Sequence, residues 1–294
     1  MKFWKMHGLG NDYVVIDNRD GRIGDAEAAK LAQKLCARRF SVGADGLLLV
    51  SKSAVANVKM RIFNDDGSEA EMCGNGIRCF AKYCYENGIA RKNEFKVETL
   101  AGVKRVWLNV EGGEVKTVKV DMGAPNWERT ALPMTGQGTC INEDLQVDEG
   151  ETYKVTCLSM GNPHCVIFVD NVDNFPVERI GPLIENHKAF PKRTNVSFAQ
   201  IPSAGELKVR VWERGCGETL ACGTGACAAA AAAKKLNKIG NEVTVHLRGG
   251  DLNVDIAENI ILSGPFGGEL NMNIVESIFL SGPAEKVFEG KLFS

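Results

Sequence analysis

Residues 69–79 read Glu-Ala-Glu-Met-Cys-Gly-Asn-Gly-Ile-Arg-Cys, and residues 218–228 read Glu-Thr-Leu-Ala-Cys-Gly-Thr-Gly-Ala-Cys-Ala. Both contain a Cys-Gly-x-Gly turn with a glutamate four residues before the cysteine. An offset of 149 carries one stretch onto the other and holds beyond the turn. Arg61-Ile-Phe-Asn falls on Arg210-Val-Trp-Glu, and Glu69, Cys73, Gly74 and Gly76 fall on Glu218, Cys222, Gly223 and Gly225. Gly10-Asn11-Asp12 is echoed at a similar offset by Gly161-Asn162-Pro163. A period this long is not a solenoid. It implies two related domains facing each other across a pseudo-twofold axis.

The local patterns agree between the halves. Val14–Asp17, Leu47–Val50 and Val58–Phe63 are short apolar runs that read as strands, and Val166–Val169, Asn195–Phe198 and Leu207–Trp212 answer them. Each Cys-Gly-x-Gly opens a helix. The first runs through Ile77–Glu86 and stops at Gly88, a C-capping glycine. The second contains Ala228–Ala233, the best helix-forming composition available, and Lys234, Lys235 and Lys238 complement its negative end. Val103–Val110 and Val115–Val120 follow as strands. Near the end, residues 249–265 recur with changes as 267–283, a tandem duplication in which each copy reads as strand, turn, strand.

The 294 residues suffice for one large or two ordinary domains. A net charge of -2 gives no reason to expect a nucleic-acid or anionic-membrane partner. No apolar run is long enough for a signal peptide or a membrane span, so the expected location is the cytoplasm. The ten cysteines are then expected to be thiols, mostly small buried hydrophobes, rather than a disulfide framework. No Cys-x-x-Cys occurs, and His7, His164, His187 and His246 form no closely spaced pair, so no metal site is expected.

A free thiol has a pKa of about 8.5, and a helix N-terminus lowers it because unpaired N–H groups and the dipole favour negative charge. The same turn binds anions such as a carboxylate. Two such turns could place thiols on opposite sides of one ligand. One thiolate would remove a proton from carbon and the other thiol would return one to the opposite face, inverting a stereocentre without a cofactor. Competing readings are weaker. Most cysteines only pack. Gly223-x-Gly225-x-x-Ala228 matches a relaxed dinucleotide fingerprint, but a helix-capping glycine turn explains it equally and no clean strand precedes it. A redox-responsive binding protein that forms a Cys73–Cys222 disulfide is the rival from another class.

His7-Gly-Leu-Gly-Asn-Asp-Tyr, Gly43-Ala-Asp-Gly, Phe63-Asn-Asp-Asp-Gly-Ser-Glu-Ala-Glu-Met-Cys-Gly-Asn-Gly-Ile-Arg-Cys, Gly161-Asn-Pro-His, Arg193-Thr-Asn-Val, Trp212-Glu-Arg-Gly-Cys-Gly-Glu-Thr and Ala221-Cys-Gly-Thr-Gly-Ala together resemble the diaminopimelate epimerases. The likeness runs in order over nearly the whole chain. Proline racemases and the phenazine-pathway isomerase share the fold but look less similar around the turns. The resemblance implies an α+β fold of two pseudo-symmetric domains, each a strongly curved, mostly antiparallel, barrel-like sheet around a central helix. It places one lobe at 1–120 joined by 284–294, and the other at 121–283. The implied activity is pyridoxal-independent interconversion of LL- and meso-2,6-diaminopimelate in lysine and peptidoglycan precursor synthesis, by a homodimer acting on a small-molecule substrate. Carried over by position, Cys73 and Cys222 are the acid/base thiols. Gly74, Asn75, Gly223 and Thr224 bind the reacting α-carboxylate. Asn11, Asn64, Asn162, Asn195 and Arg214 hold the amino and distal carboxylate groups. Glu213 also borders the substrate, and it and His164 tune the thiols. Some members carry glutamine where Gly46 stands, so that substrate contact is absent here or made by backbone. The duplicated hairpin is expected away from the cleft.

Overall fold

The computed structural model describes residues 1–148, 150–263 and 271–292, with backbone alone at 148, 259–263 and 271–275. The chain forms two compact units, Met1–Val120 with Ser281–Ser294, and Asp121–Leu280.

In chain order the elements are β1 (Lys2–Gly8), β2 (Asn11–Asp17), α1 (Asp25–Cys36), β3 (Gly46–Ser51), β4 (Val58–Asn64), β5 (Glu69–Ala70), α2 (Gly74–Glu86), β6 (Glu94–Thr99), β7 (Gly102–Glu111) and β8 (Glu114–Gly123). They continue as β9 (Cys140–Asp148), β10 (Glu151–Ser159), β11 (Pro163–Phe168), α3 (Val177–Glu185), β12 (Asn195–Ser203), β13 (Glu206–Glu213), β14 (Gly217–Thr219), α4 (Gly223–Lys235), β15 (Glu242–Leu247), β16 (Gly250–Ser263), β17 (Asn271–Gly282) and β18 (Glu285–Lys291). The offset of 149 found in the sequence carries α2 onto α4 residue for residue, and Gly46 at the start of β3 onto Asn195 at the start of β12.

The pairing order repeats as well. In the first unit β18–β1–β2 are antiparallel, β2–β3 parallel, β3–β4 antiparallel, β4–β6 parallel and β6–β7–β8 antiparallel. In the second, β9–β10–β11 are antiparallel, β11–β12 parallel, β12–β13 antiparallel, β13–β15 parallel and β15–β16 antiparallel. Each parallel step is bridged by a helix, because a parallel neighbour can only be reached by a crossover. The α+β, mostly antiparallel reading holds.

Helices α2 and α4 are buried nearly all round. Every residue of α2 from Gly74 to Cys84 is buried, and so are Gly223 and 225–233 of α4. A helix with no solvated face must be enclosed, and here strands do the enclosing. Helix α2 packs on β1, β2, β3, β4 and β7, and α4 on β10, β11, β12, β13, β15 and β16. The alanine tract follows from this: only small side chains let strands approach a helix from so many directions.

The sequence reading gives one helix to each half, whereas the described residues of each unit form two α-helices. Helix α1 was missed because its buried stripe, Ala28, Ala32, Leu35 and Cys36, is mostly small residues. Helix α3 contains Pro182, which removes an intrahelical donor and argues against helix locally. Packing decides instead. Val177, Ile180 and Ile184 of α3 join Cys165, Ile167, Val196 and Phe198 in one core, as α1 joins Val14, Ile16, Leu47 and Leu49 in the other. Covered on both faces, β2, β3, β11 and β12 need continuous apolar runs, which the sequence shows.

The duplicated segment differs from its strand–turn–strand reading. The first copy runs unbroken through β16, with Leu252, Val254 and Ile256 buried at alternate positions. That period-2 pattern is the signature of one continuous strand. The second copy contributes β17, and the link at 264–270 lies outside the described residues.

Candidate active site

Cys73 and Cys222 are the N-cap residues of the two enclosed helices. Both have extended backbone, φ -139° and ψ 125° for Cys73, φ -119° and ψ 109° for Cys222. Each Sγ accepts the N–H of the third helical residue, Gly76 or Gly225, at 3.4 Å. The sulfur thus takes the place of the serine or aspartate oxygen that ordinarily caps a helix. Helical geometry gives the amides of Gly74, Asn75, Gly223 and Thr224 no intrahelical acceptor, and the dipole adds positive potential there. Cys222 is buried and Cys73 half-buried, and eight of the ten cysteines are buried.

The glycines after each cysteine matter for their size rather than for a special backbone conformation. None of Gly74, Gly76, Gly223 and Gly225 has a positive φ. What they supply is missing bulk. A Cβ on Gly225 would lie 2.9 Å from Val211 Cγ2 and 3.3 Å from Cys222 Sγ. Any side chain there would press on β13 and on the thiol itself.

The upstream glutamates have a structural role. Glu69 receives a two-point bond from Arg61 at 2.7 and 2.8 Å, and Glu218 receives the same from Arg210 at 2.7 and 2.9 Å. Each pair ties the short strand before a cysteine (β5 or β14) to the long strand it folds back on (β4 or β13). This fixes where the chain enters the helix.

In the first unit, Asn11, Tyr13, Cys73 and Asn75 form one cluster. The Tyr13 hydroxyl lies 2.6 Å from Asn11 Oδ1 and 3.0 Å from Cys73 Sγ. Asn75 Nδ2 donates to Asn11 Oδ1 at 3.3 Å. Asn11 Nδ2 donates to Asp45 at 2.7 Å, which orients the amide oxygen toward the cysteine. Arg38 bonds both Asp45 and Asp12, and Lys5 bonds Asp12. Burial alone would raise the Asp12 carboxyl, but the bonds from Arg38 and Lys5 win and hold it at about 2. Asn64 ends β4 and donates to Ser68 Oγ at 2.9 Å, so its bonds run within its own turn. Gly46 faces Tyr13 across the β2–β3 pairing. A Cβ there would lie 2.8 Å from the Phe63 carbonyl oxygen and 3.2 Å from the Tyr13 ring, so glutamine does not fit this backbone.

In the second unit, Asn162, His164, Cys222 and Thr224 make a directed chain. Burial, and then the charge of Arg214, hold the His164 ring down at about 3, so it is neutral at physiological pH. Its Nε2 lies 3.0 Å from Asn162 Oδ1 and donates to it. Its buried Nδ1 has no hydrogen-bond partner among the described residues, which suits the tautomer without a proton there. Asn162 Nδ2 then donates to Thr224 Oγ1 at 3.2 Å, and Thr224 Oγ1 lies 3.5 Å from Cys222 Sγ. Both ends of Asn195 are engaged by backbone: Nδ2 donates to the Pro163 carbonyl at 2.8 Å, and Oδ1 accepts the Arg214 N–H at 2.9 Å. Glu213 accepts the Thr219 hydroxyl at 2.6 Å, and the exposed Arg214 reaches the Lys192 carbonyl at 3.4 Å.

Tyr13 was not singled out from the sequence as a site residue. Strand register could have found it, since Tyr13 opposes Gly46 as His164 opposes Asn195.

The diaminopimelate epimerase family model matches residues 3–128 and 156–262. The diaminopimelate epimerase of Moorella thermoacetica is 53% identical over 270 residues, covering 90% of this chain and 96% of that one. That of Acetivibrio thermocellus is 45% identical over 295 residues, covering 99% and 98%. Among solved structures, a hydroxyproline epimerase from Agrobacterium vitis with bound trans-4-hydroxy-L-proline superposes with a TM-score of 0.71 at 14% identity, covering 99% of this chain and 90% of that one. A probable proline racemase from Agrobacterium radiobacter K84 gives 0.70 at 14%, covering 99% and 92%. At that identity the likeness is one of fold. The sequence matches, spanning both thiol turns, go further: the chain belongs to the diaminopimelate epimerase family.

Proposed function

We propose that this chain interconverts LL- and meso-2,6-diaminopimelate by two-base proton transfer between Cys73 and Cys222, one thiol from each lobe (1–120 with 284–294, and 121–283). One observation carries this reading beyond family membership. A cysteine occurs twice as the N-cap of an enclosed helix, with its sulfur 3.4 Å from the third amide each time.

In one direction the thiolate of one cysteine takes the α-proton, and the thiol of the other delivers its proton to the opposite face. The thiol and thiolate exchange roles, so the reverse reaction begins from the opposite protonation state. The pair therefore titrates as a coupled unit. The amides of Gly74, Asn75, Gly223 and Thr224 would receive the reacting α-carboxylate, whose oxygens take up charge as the α-carbon becomes carbanionic. Asn11, Asn64 and Asn162 would bind the amino and carboxylate groups. Asn195 would act chiefly by setting the Arg214 backbone, since both ends of its amide are engaged. The Arg214 fork suits the distal carboxylate. His164 would act on Cys222 through Asn162 and Thr224, and Glu213 would border the substrate near the thiols. Two working thiols need reducing surroundings, which supports a cytoplasmic location for the activity. Among the described residues no helix is long and apolar enough to cross a membrane.

The test is NMR of the protein with LL-diaminopimelate in D₂O and dithiothreitol. The expected result is the meso isomer carrying deuterium at the inverted carbon. Folded, reduced protein that gives no exchange would overturn the assignment.

The active form is proposed to be a homodimer. Strand β18 pairs with β1 and carries Val287 and Phe288 about half exposed (55% and 45%), apolar surface that a second copy of the chain would cover. Sedimentation equilibrium should give twice the mass of the 31.9 kDa chain at micromolar concentration, and Val287→Glu should shift it toward the monomer. A wild-type protein that sediments as a monomer sinks the idea.

A further inference from the structure

We propose that the Tyr13 hydroxyl is the switchable hydrogen-bond donor that stabilises the Cys73 thiolate. Its O–H bonds to Sγ when the cysteine is charged, and to Asn11 Oδ1 when it is not. The inference deepens the two-thiol reading and rests on it for its catalytic meaning.

The geometry offers one proton and two acceptors. Tyr13 Oη stands 2.6 Å from Asn11 Oδ1 and 3.0 Å from Cys73 Sγ. A phenol has a single hydrogen, so both bonds cannot be fully made at once. Against a neutral thiol, the amide oxygen is the better acceptor. Against a thiolate, charge assistance reverses the preference. The amide oxygen is not stranded when the proton leaves, because Asn75 Nδ2 also donates to it at 3.3 Å. Nor can the amide turn over to present its NH₂ to the phenol at no cost, because its Nδ2 is held at 2.7 Å by Asp45, itself held by Arg38.

The phenol is also kept as a donor. Tyr13 is 5% exposed, and burial, then the neighbouring Cys73, push its ionisation well above the ordinary 10. The other titratable or charged groups that act on it are Cys79 on α2 and Asp45 beside β3. Cys79 is itself pushed up to about 12 by burial, so it stays a thiol and does not compete as an anion. Of the charges that act on Cys79, Arg78 lowers its ionisation and Asp12 raises it. The ring is placed by Gly46, since a Cβ there would lie 3.2 Å from Tyr13 Cε1. Tyr13 and the bare position at Gly46 thus form one unit, because a side chain at 46 would press on the ring. In the second unit the counterpart of Tyr13 is His164, which is linked to Cys222 through Asn162 and Thr224.

The experiment is Tyr13→Phe, which removes one oxygen and keeps the ring. The rate of iodoacetamide alkylation at Cys73 is followed against pH by peptide mass spectrometry, with Cys222 in the same sample as internal reference. The expected result is an upward move of the Cys73 midpoint by about one pH unit, hence roughly tenfold slower alkylation at neutral pH, with the Cys222 midpoint unmoved. The kcat/KM for epimerisation should fall by a similar factor in both directions, as the fixed equilibrium requires. A Cys73 midpoint equal to that of wild type overturns the proposal, and so does an equal move at both cysteines, which would mark a general loosening. Tyr13→Leu, which removes the ring as well, should move the midpoint no further than phenylalanine does if the hydroxyl is responsible. Alkylation reads the thiolate whether or not diaminopimelate is the substrate. Failure of the substrate assignment would therefore leave this result standing, and failure here would leave that assignment standing.

Discussion

Cys73→Ala and Cys222→Ala should each lower the rate of LL-to-meso conversion by about 10³-fold or more, within the range for loss of a positioned acid or base. Both losses should appear in both directions, because the thiol that acts as base one way is the acid the other way. The comparison that isolates chemistry from structure is serine. Each sulfur caps a helix as well as carrying a proton. Losing a cap costs about 1 kcal/mol, and a serine oxygen restores it. A serine hydroxyl, however, ionises far less readily than a thiol. Cys73→Ser and Cys222→Ser should therefore melt within a few degrees of wild type yet remain close to the alanine variants in rate. Progress is read by NMR in D₂O under reducing conditions. Any of these variants that keeps more than about a tenth of the wild-type rate removes that cysteine from the proton-transfer pair.

Arg210→Ala should cost about 3 kcal/mol of stability, the largest effect expected outside the thiols. Arg210 holds the nearly buried Glu218 by two bonds, and its Nη1 also serves the carbonyls of Val172, Asp173 and Phe175 at 3.1, 3.3 and 2.9 Å. Removing one partner of a buried pair typically costs about 3–5 kcal/mol, because the other charge is left uncompensated. Arg248, 3.2 Å from Glu218, offsets part of this and sets the expectation at the lower end. The counterpart Arg61→Ala should cost less, since its carboxylate partners Glu69 and Asp25 are 25% and 88% exposed.

The pair also shows in the pH dependence. The Arg210 hydrogen bond outweighs burial and lowers the Glu218 carboxyl below its ordinary 4.5. A depressed carboxyl contributes stability above its unfolded value and loses it as pH falls through the folded one. Wild type should therefore lose stability on acidification below about 4.5 more steeply than Arg210→Ala. Guanidinium unfolding at pH 7 and at a pH below 4.5 measures both effects. A loss under about 1 kcal/mol at pH 7 would mean that the arginine is not what anchors the hairpin before Cys222.

Some of this was legible without coordinates because it rests on local chemistry or on repetition. The duplication, the helix after each Cys-Gly-x-Gly, the Gly88 stop and the apolar strands β2, β3, β11 and β12 follow from residue identity and period. Gly88 does take the left-handed backbone that ends α2, with φ 67°. The motif residues that carry the family resemblance were equally legible, since those motifs are contiguous along the chain.

What needed the tertiary structure is what depends on distance between elements. Helix α3 forms despite Pro182 because its apolar stripe has a core to enter. The repeated glutamates, conspicuous beside the cysteines in the sequence, are spoken for by arginines eight residues earlier on the neighbouring strand. Asn195 is legible as an amide in a family motif, but not its bonds to the Pro163 carbonyl and the Arg214 N–H. Tyr13 lies sixty residues from Cys73 and meets it only because β2 runs beside the N-terminus of α2. Sequence determines which groups a chain owns and how they recur. Which of them retain a hydrogen bond to give a substrate is decided by packing, because burial obliges every polar atom to find a partner and most find it in the protein.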